Sequence, residues 1–158
     1  MPAPPWLPGL LQVYPWTITT YDELYDVFRN DFVQSRPMFQ GHEVWHFPER
    51  EDGREKVFWH LTSRDDDPAG ERLPDLARAE RLAWIRPLLE HAATPEVLAW
   101  DYSEGDGSVR TYVWLKDEDF AVVLKKYPDG RRRLVTAFCV LFPRKRRELE
   151  RKHANRIK

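Results

Sequence analysis

The chain has one cysteine in 158 residues. Cys139 alone excludes an intrachain disulfide and a cysteine-based zinc cluster, and it suits a reducing, cytoplasmic setting. No apolar run approaches the ~18 residues of a membrane span; the best is Leu134 to Phe142, so no membrane partner is expected. The opening Met-Pro-Ala-Pro-Pro-Trp-Leu-Pro lacks the basic start and apolar stretch of a secretory leader, so export by that route is not expected. There is no P-loop, no G-x-G-x-x-G and no nucleophile elbow. Nucleotide hydrolases, Rossmann enzymes and α/β-hydrolases are therefore unsupported. Internal repeats and low-complexity segments are also missing. What is present argues for one folded domain: 42% hydrophobic residues exclude a wholly disordered chain despite 32% charged ones.

The net charge of −1 conceals an asymmetry. Ala121 to Lys158 holds 13 Lys and Arg against 3 Asp and Glu, a net of +10, while Met1 to Phe120 carries −11. A basic end on an acidic body is a candidate for polyanion binding, or equally a solvated terminal helix.

Five prolines make residues 1–16 an extended arm, packed if at all through Trp6 and Trp16. Thr20 and Glu23 have the spacing of a capping box, and Leu24, Val27, Phe28 and Phe32 follow at helical spacing to about Val33. Glu43–Phe47 and Lys56–Thr62 read as two strands of a hairpin. Arg72 to about Ala92 reads as helix, divided at Pro87. Val97–Tyr102, Val109–Leu115, Phe120–Lys126 and Arg132–Phe142 are four strands with short connections, which favour antiparallel pairing. Pro143 stops the last strand and 144–158 is a basic helix. The expected fold is α+β. N-terminal helices pack on a C-terminal four-stranded antiparallel sheet within a single domain, 17–143, followed by the basic helix. Unbroken alternation puts Leu134, Thr136 and Phe138 on one side with Phe120, Val122 and Leu124. Ala121, Val123, Lys125, Arg133, Ala137 and Cys139 lie on the other, a shallow platform if helices cover only the first.

His42-Glu43-Val44-Trp45-His46 matches H-E-x-x-H, but Gly41 and Pro48 bracket it. Its residues suit a strand, where i and i+4 lie ~13 Å apart, so no metal is expected there. Asp65-Asp66-Asp67 reads as an acidic loop rather than a cation site. His60, amid Phe58, Trp59 and Leu61, is either a general acid or base at neutral pH or a structural histidine. Arg78, Arg81 and Arg86 suit phosphate, or alternatively pair with Asp75 and Glu80 on a surface face. Arg110 and Tyr112 share one face of a strand, and Lys125, Arg131, Arg132 and Arg133 cluster about a hairpin. Such a strip suits a phosphodiester backbone, with an aromatic stacking on a base. Thr136 is a small hydroxyl in an apolar strand, which simple β propensity also explains.

In order, Phe58-Trp59-His60-Leu61, Arg78-Ala-Glu-Arg81 with Trp84-Ile85-Arg86-Pro87, Tyr112-Val-Trp114 with Phe120 to Lys125, and Leu134-Val-Thr136-Ala-Phe138 form a combined pattern. Over Phe39 to Leu149 the chain resembles the barnase–EndoU–colicin–RelE superfamily of metal-independent ribonucleases, especially its phage and toxin branches. The resemblance implies His60, Arg81 and Thr136 as catalytic candidates, supported by Arg78 and Lys125. With Arg86, Arg110, Tyr112 and Arg133 these complete the expected substrate contacts. It implies a cofactor-free endoribonuclease acting on cellular RNA, with an inhibitor or antitoxin protein as a possible partner. In that chemistry the 2′-OH attacks the adjacent phosphate. A base takes its proton, an acid protonates the departing 5′ oxygen, and cations stabilise the charge on phosphorus. Two other readings fit the composition: a non-catalytic nucleic-acid-binding module, and a protein-interaction domain presenting the seven tryptophans and the acidic body.

Overall fold

The computed structural model describes residues 2–64 and 72–158; the Asp65-Asp66-Asp67 run lies outside the described residues. Helix α1 (Thr20–Phe28) widens into a π turn over Arg29–Val33, closed by the Gln34 amide donating to the Arg29 carbonyl at 2.8 Å. The expected capping box does not form. Thr20 is buried inside the first turn, and the Thr19 hydroxyl instead donates to Glu23 at 3.1 Å. Strands β1 (Met38–Phe39) and β2 (His42–Trp45) pair antiparallel.

The expected second strand of the next hairpin is a helix, α2 (Lys56–Thr62). Val57 and Leu61, and Phe58 and Thr62, stand one turn apart and are all buried, while His60 faces solvent. A strand would expose alternate residues of this run. The hairpin forms earlier, between β3 (Arg50–Glu51) and β4 (Arg54–Glu55). Asp52 and Gly53 supply φ of 50° and 80° there, the two left-handed residues that a tight turn needs.

A short pair, β5 (Ser63–Arg64) and β6 (Leu73–Pro74), leads to α3 (Leu76–Ala79), a 3₁₀ turn at Leu82–Trp84 and α4 (Ile85–Glu90). The break between helices falls at Glu80–Arg81, not at Pro87. Pro87 sits in the first turn of α4, where its missing amide costs no helical hydrogen bond. Then come β7 (Val97–Ser103), β8 (Val109–Leu115), β9 (Phe120–Lys126), β10 (Arg132–Cys139) and α5 (Pro143–Ala154).

Strands β7 to β10 form the expected antiparallel meander, but they are not the whole sheet. The fold is α+β with a curled, six-stranded mixed sheet, a half-barrel of order β1-β2-β10-β9-β8-β7. This corrects the four-stranded antiparallel expectation. Strand β2 docks parallel to β10 through Arg132↔Val44 and Arg133↔Trp45. So distant a pairing leaves no mark in local turn residues.

One face of the sheet carries the main core, where Phe28, Phe58, Leu61 and Leu88 meet Val113 and Phe120. Each such burial contributes about 1.5–3 kcal/mol. The other face holds a second cluster of Trp100, Tyr112, Trp114, Ala121 and Val123, closed by Leu149 of α5. The platform is therefore only partly open. The proline-rich arm packs on the domain: Trp6 stacks on His91 at 4.7 Å, and Trp84 Nε1 donates to the Pro8 carbonyl at 2.9 Å.

Candidate nucleic-acid interface

Cross-strand register assembles a row on the α5 face of the sheet. Tyr102 stands opposite Arg110, Arg110 opposite Lys125, Lys125 opposite Arg133, and Arg133 opposite Trp45. Directly opposed residues share a face, and neighbouring strands lie about 4.8 Å apart, so three cations span about 10 Å with an aromatic at each end. Among the described residues none of the three forms an ion pair. Lys125 Nζ lies 5.4 Å from the centre of the Tyr127 ring. Arg133 stacks 3.9 Å over Phe47 and donates to the Tyr127 hydroxyl at 3.1 Å. Phe47 is 45% exposed and rests its edge on Trp45. Cations and aromatic faces interleave here, as a sequence-tolerant single-strand surface requires.

Beneath the row, on the opposite face, one half-buried cluster ties β7, β8, β9 and β10 together. Asp101 accepts from the Thr111 hydroxyl at 2.6 Å and Lys126 at 2.9 Å, and Arg132 lies 3.4 Å away. Arg132 is 7% exposed, and its Nε donates to Thr111 at 2.8 Å. Burial alone would raise the Asp101 pKa. The Thr111 hydroxyl, Lys126 and Arg132 outweigh it and hold the carboxyl below the usual range. The cluster fixes strand register where the cationic row crosses.

A bulge decides where Thr136 goes. Leu134 opposes Leu124 but Thr136 opposes Val123, so Val135 is an extra residue. Alternation is reset: Ala137 joins the main core, while Thr136 and Phe138 move to the α5 face. Thr136 there lines a cavity of about 340 Å³ with Arg110, Lys145 and Lys152 and with the carboxylates Glu104, Asp106 and Glu148. The Tyr112 hydroxyl donates to Glu104 at 2.6 Å, and Lys152 donates to Tyr112 at 2.8 Å. Burial and the Glu104 carboxylate push the Tyr112 phenol up. Burial opposes the Lys152 ammonium, but Tyr112 and Glu104 hold its pKa above the ordinary value, so it is a fixed cation in the cleft. A second cavity, of about 370 Å³, adjoins the first through Phe138, Lys145 and Glu148, and is lined by Arg78 and Arg144. Together they make one groove from Arg78 past Thr136 to Arg110, where the cationic row begins.

The remaining sequence-predicted residues lie elsewhere. His60 is exposed on α2, and its backbone carbonyl accepts from Arg78 at 2.8 Å. Helices α2 and α3 pack against β10, but among the described residues no hydrogen bond or ion pair joins His60 or Arg81 to Thr136. Arg81 is held by the Ala77 carbonyl at 2.9 Å and by Glu80 at 2.7 Å, and Arg78 lies 3.4 Å from Asp75. These are the surface pairings that the local sequence offered as the alternative. Arg86 turns to the Asp31 carbonyl at 2.8 Å and the Ser35 hydroxyl at 2.8 Å, tying α4 to the end of the π turn. His42–Trp45 is strand, as expected, and His46 follows its end; His46 packs its ring edge on Phe28, and burial lowers its pKa. Among the described residues no three His, Cys, Asp or Glu side chains are grouped to hold a metal. Burial pushes the Cys139 thiol up, away from an activated nucleophile.

Sequence reasoning missed Tyr102, Trp45, Phe47, Lys145 and Lys152. Tyr102 was within reach by counting register outward from the two hairpins. Trp45 was not, because it joins the row through the parallel pairing. No helix among the described residues is long and apolar enough to cross a membrane. No family model, curated protein or solved structure matches the chain.

Proposed function

We propose that this chain binds single-stranded RNA along the path from Arg78 through Thr136 and Arg110 to Lys125 and Arg133, and cleaves it without a metal by 2′-OH attack. The observation that carries the binding half is the row Arg110–Lys125–Arg133, free of carboxylate partners among the described residues and bounded by Tyr102 and Trp45. A strand laid there meets positive charge on three successive β-strands and an aromatic residue at each end. The cleavage half rests on the resemblance, which assigns His60, Arg81 and Thr136, and on side chains able to serve the chemistry. The His60 imidazole is open to solvent for proton transfer; Arg110, Lys145 and Lys152 line the same cavity as Thr136 and supply positive charge there for a phosphorane, Lys145 and Lys152 sharing Glu148. Action on cellular RNA in the cytoplasm, as a toxin or phage-associated effector restrained by an inhibitor protein, belongs to the same proposal.

The test is to incubate the pure protein with total RNA in EDTA and to characterise the product ends. A 2′,3′-cyclic phosphate opposite a 5′ hydroxyl is the expected result. Intact RNA after prolonged incubation refutes the cleavage half. A second reading, a non-catalytic RNA-binding module, is favoured by one feature: the Arg81 guanidinium is already engaged by Glu80 and the Ala77 carbonyl. Salt-dependent retention of RNA with no cut products would select that reading.

A further inference from the structure

Helix α5 presents a second charged surface that the sheet path does not use. Arg144, Arg147 and Arg151 stand at i, i+3 and i+7, within one ~60° arc along about 10 Å of helix axis, and all three are exposed. Leu149, which anchors the helix on the aromatic cluster, projects from the opposite side. The helix carboxylates are engaged elsewhere: Glu148 with Lys145 at 3.4 Å and Lys152 at 3.7 Å, and Glu150 with Lys116 at 3.5 Å. Among the described residues this leaves the arginine stripe without an acidic partner. The stripe is also joined to the sheet path at both ends. Arg151 donates to the Tyr102 hydroxyl at 3.3 Å, and Tyr102 ends the cationic row. Arg144 lines the groove beside Arg78.

We infer that the preferred substrate is a structured RNA in which a double-stranded stem continues into a single strand, the stem phosphates lying on Arg144, Arg147 and Arg151 and the unpaired strand on the sheet row. This inference rests on the RNA-binding reading above. A rigid stripe of guanidinium groups with no aromatic interleaved suits a phosphate-lined helix, read by shape and backbone. The aromatic-flanked row suits unstacked bases. Tyr102 marks the junction between the two.

The experiment measures fluorescence anisotropy with three labelled 2′-O-methyl RNA probes, which cannot cleave themselves by internal attack: a single strand, a blunt duplex, and a stem with a single-stranded overhang. The wild-type chain should bind the overhang probe roughly tenfold tighter than the single strand. The variant R147Q/R151Q, at stripe residues that do not line the groove, should bind the overhang probe no tighter than the single strand, with single-strand affinity within about twofold of wild type. The variant R110Q/K125Q/R133Q should lose the single strand and keep the duplex. The single variant Arg147→Glu, at an exposed site, provides the same readout should the double variant fold poorly. If the wild type gains nothing from the stem, or the helix variant keeps the gain, this inference is overturned while single-strand binding stands. If the wild type binds none of the probes at low salt, the RNA-binding reading itself falls.

Discussion

Replacing Lys125 and Arg133 with glutamine removes two of the three cations of the sheet row and leaves the backbone ladder unchanged. The expected effect follows from counterion release. Each phosphate neutralised on a single strand contributes about −0.7 to the slope of log K against log salt. With one phosphate per cation, Arg110, Lys125 and Arg133 together contribute about −2, and the double variant should retain about −0.7 of that. Between about 50 and 200 mM salt the row alone then weakens wild-type binding roughly 20-fold and variant binding about threefold. The difference in slopes, about 1.4, is unaffected by whatever Arg78 or Lys145 add, because those are common to both proteins. A salt titration of a labelled 2′-O-methyl oligouridylate, read by anisotropy, measures both slopes. Folding should not interfere: Lys125 makes no ion pair among the described residues, and the Arg133 contacts are to exposed or half-buried rings. Equal slopes for the two proteins would refute the placement of the strand on this row, however tight the binding.

Four further outcomes follow. His60→Ala should abolish RNA cleavage with folding intact, since the Arg78 contact uses only the His60 backbone carbonyl; Arg81→Ala should do the same on the catalytic assignment, and unchanged product yields from both would remove that assignment. Leu149→Ala should cost about 2–5 kcal/mol in urea titrations and shift tryptophan emission, because Leu149 closes the cluster of Trp100 and Trp114. Asp101 has a folded-state pKa below its unfolded value near 3.9, so its contribution is fully present above the unfolded value and lost as pH falls through the folded one. Asp101→Asn should therefore lower stability at neutral pH and flatten the loss of stability below about pH 4; an acid limb as steep as wild type contradicts the cluster's role. Arg86→Ala should destabilise the fold by about 1–3 kcal/mol by stripping the Asp31 carbonyl and Ser35 of their donor, yet leave RNA affinity unchanged.

The residue sequence by itself determined the meander β7 to β10, because its strands alternate locally and its turns, such as Tyr127-Pro128-Asp129-Gly130, are encoded in adjacent residues. It also determined that Arg110 and Tyr112 share a face of one strand and that Lys125 and Arg133 share a side, by parity within a strand, while the register of β8 on β9 joined the two pairs. Lys56–Thr62 was misread for a physical reason: aromatic and β-branched residues favour strand locally, but burial on nearly every side by α1 and the sheet is met by a helix. The side taken by Thr136 depended on one extra residue, Val135, whose bulge is a property of how β10 fits β9 rather than of its composition. Only the tertiary structure placed Trp45 at the end of the cationic row, because a parallel pairing across a long stretch of chain is settled by packing and not by any turn. The same holds for α5. Its charge was plain from composition, but which arginines face solvent was decided by the one leucine that anchors it.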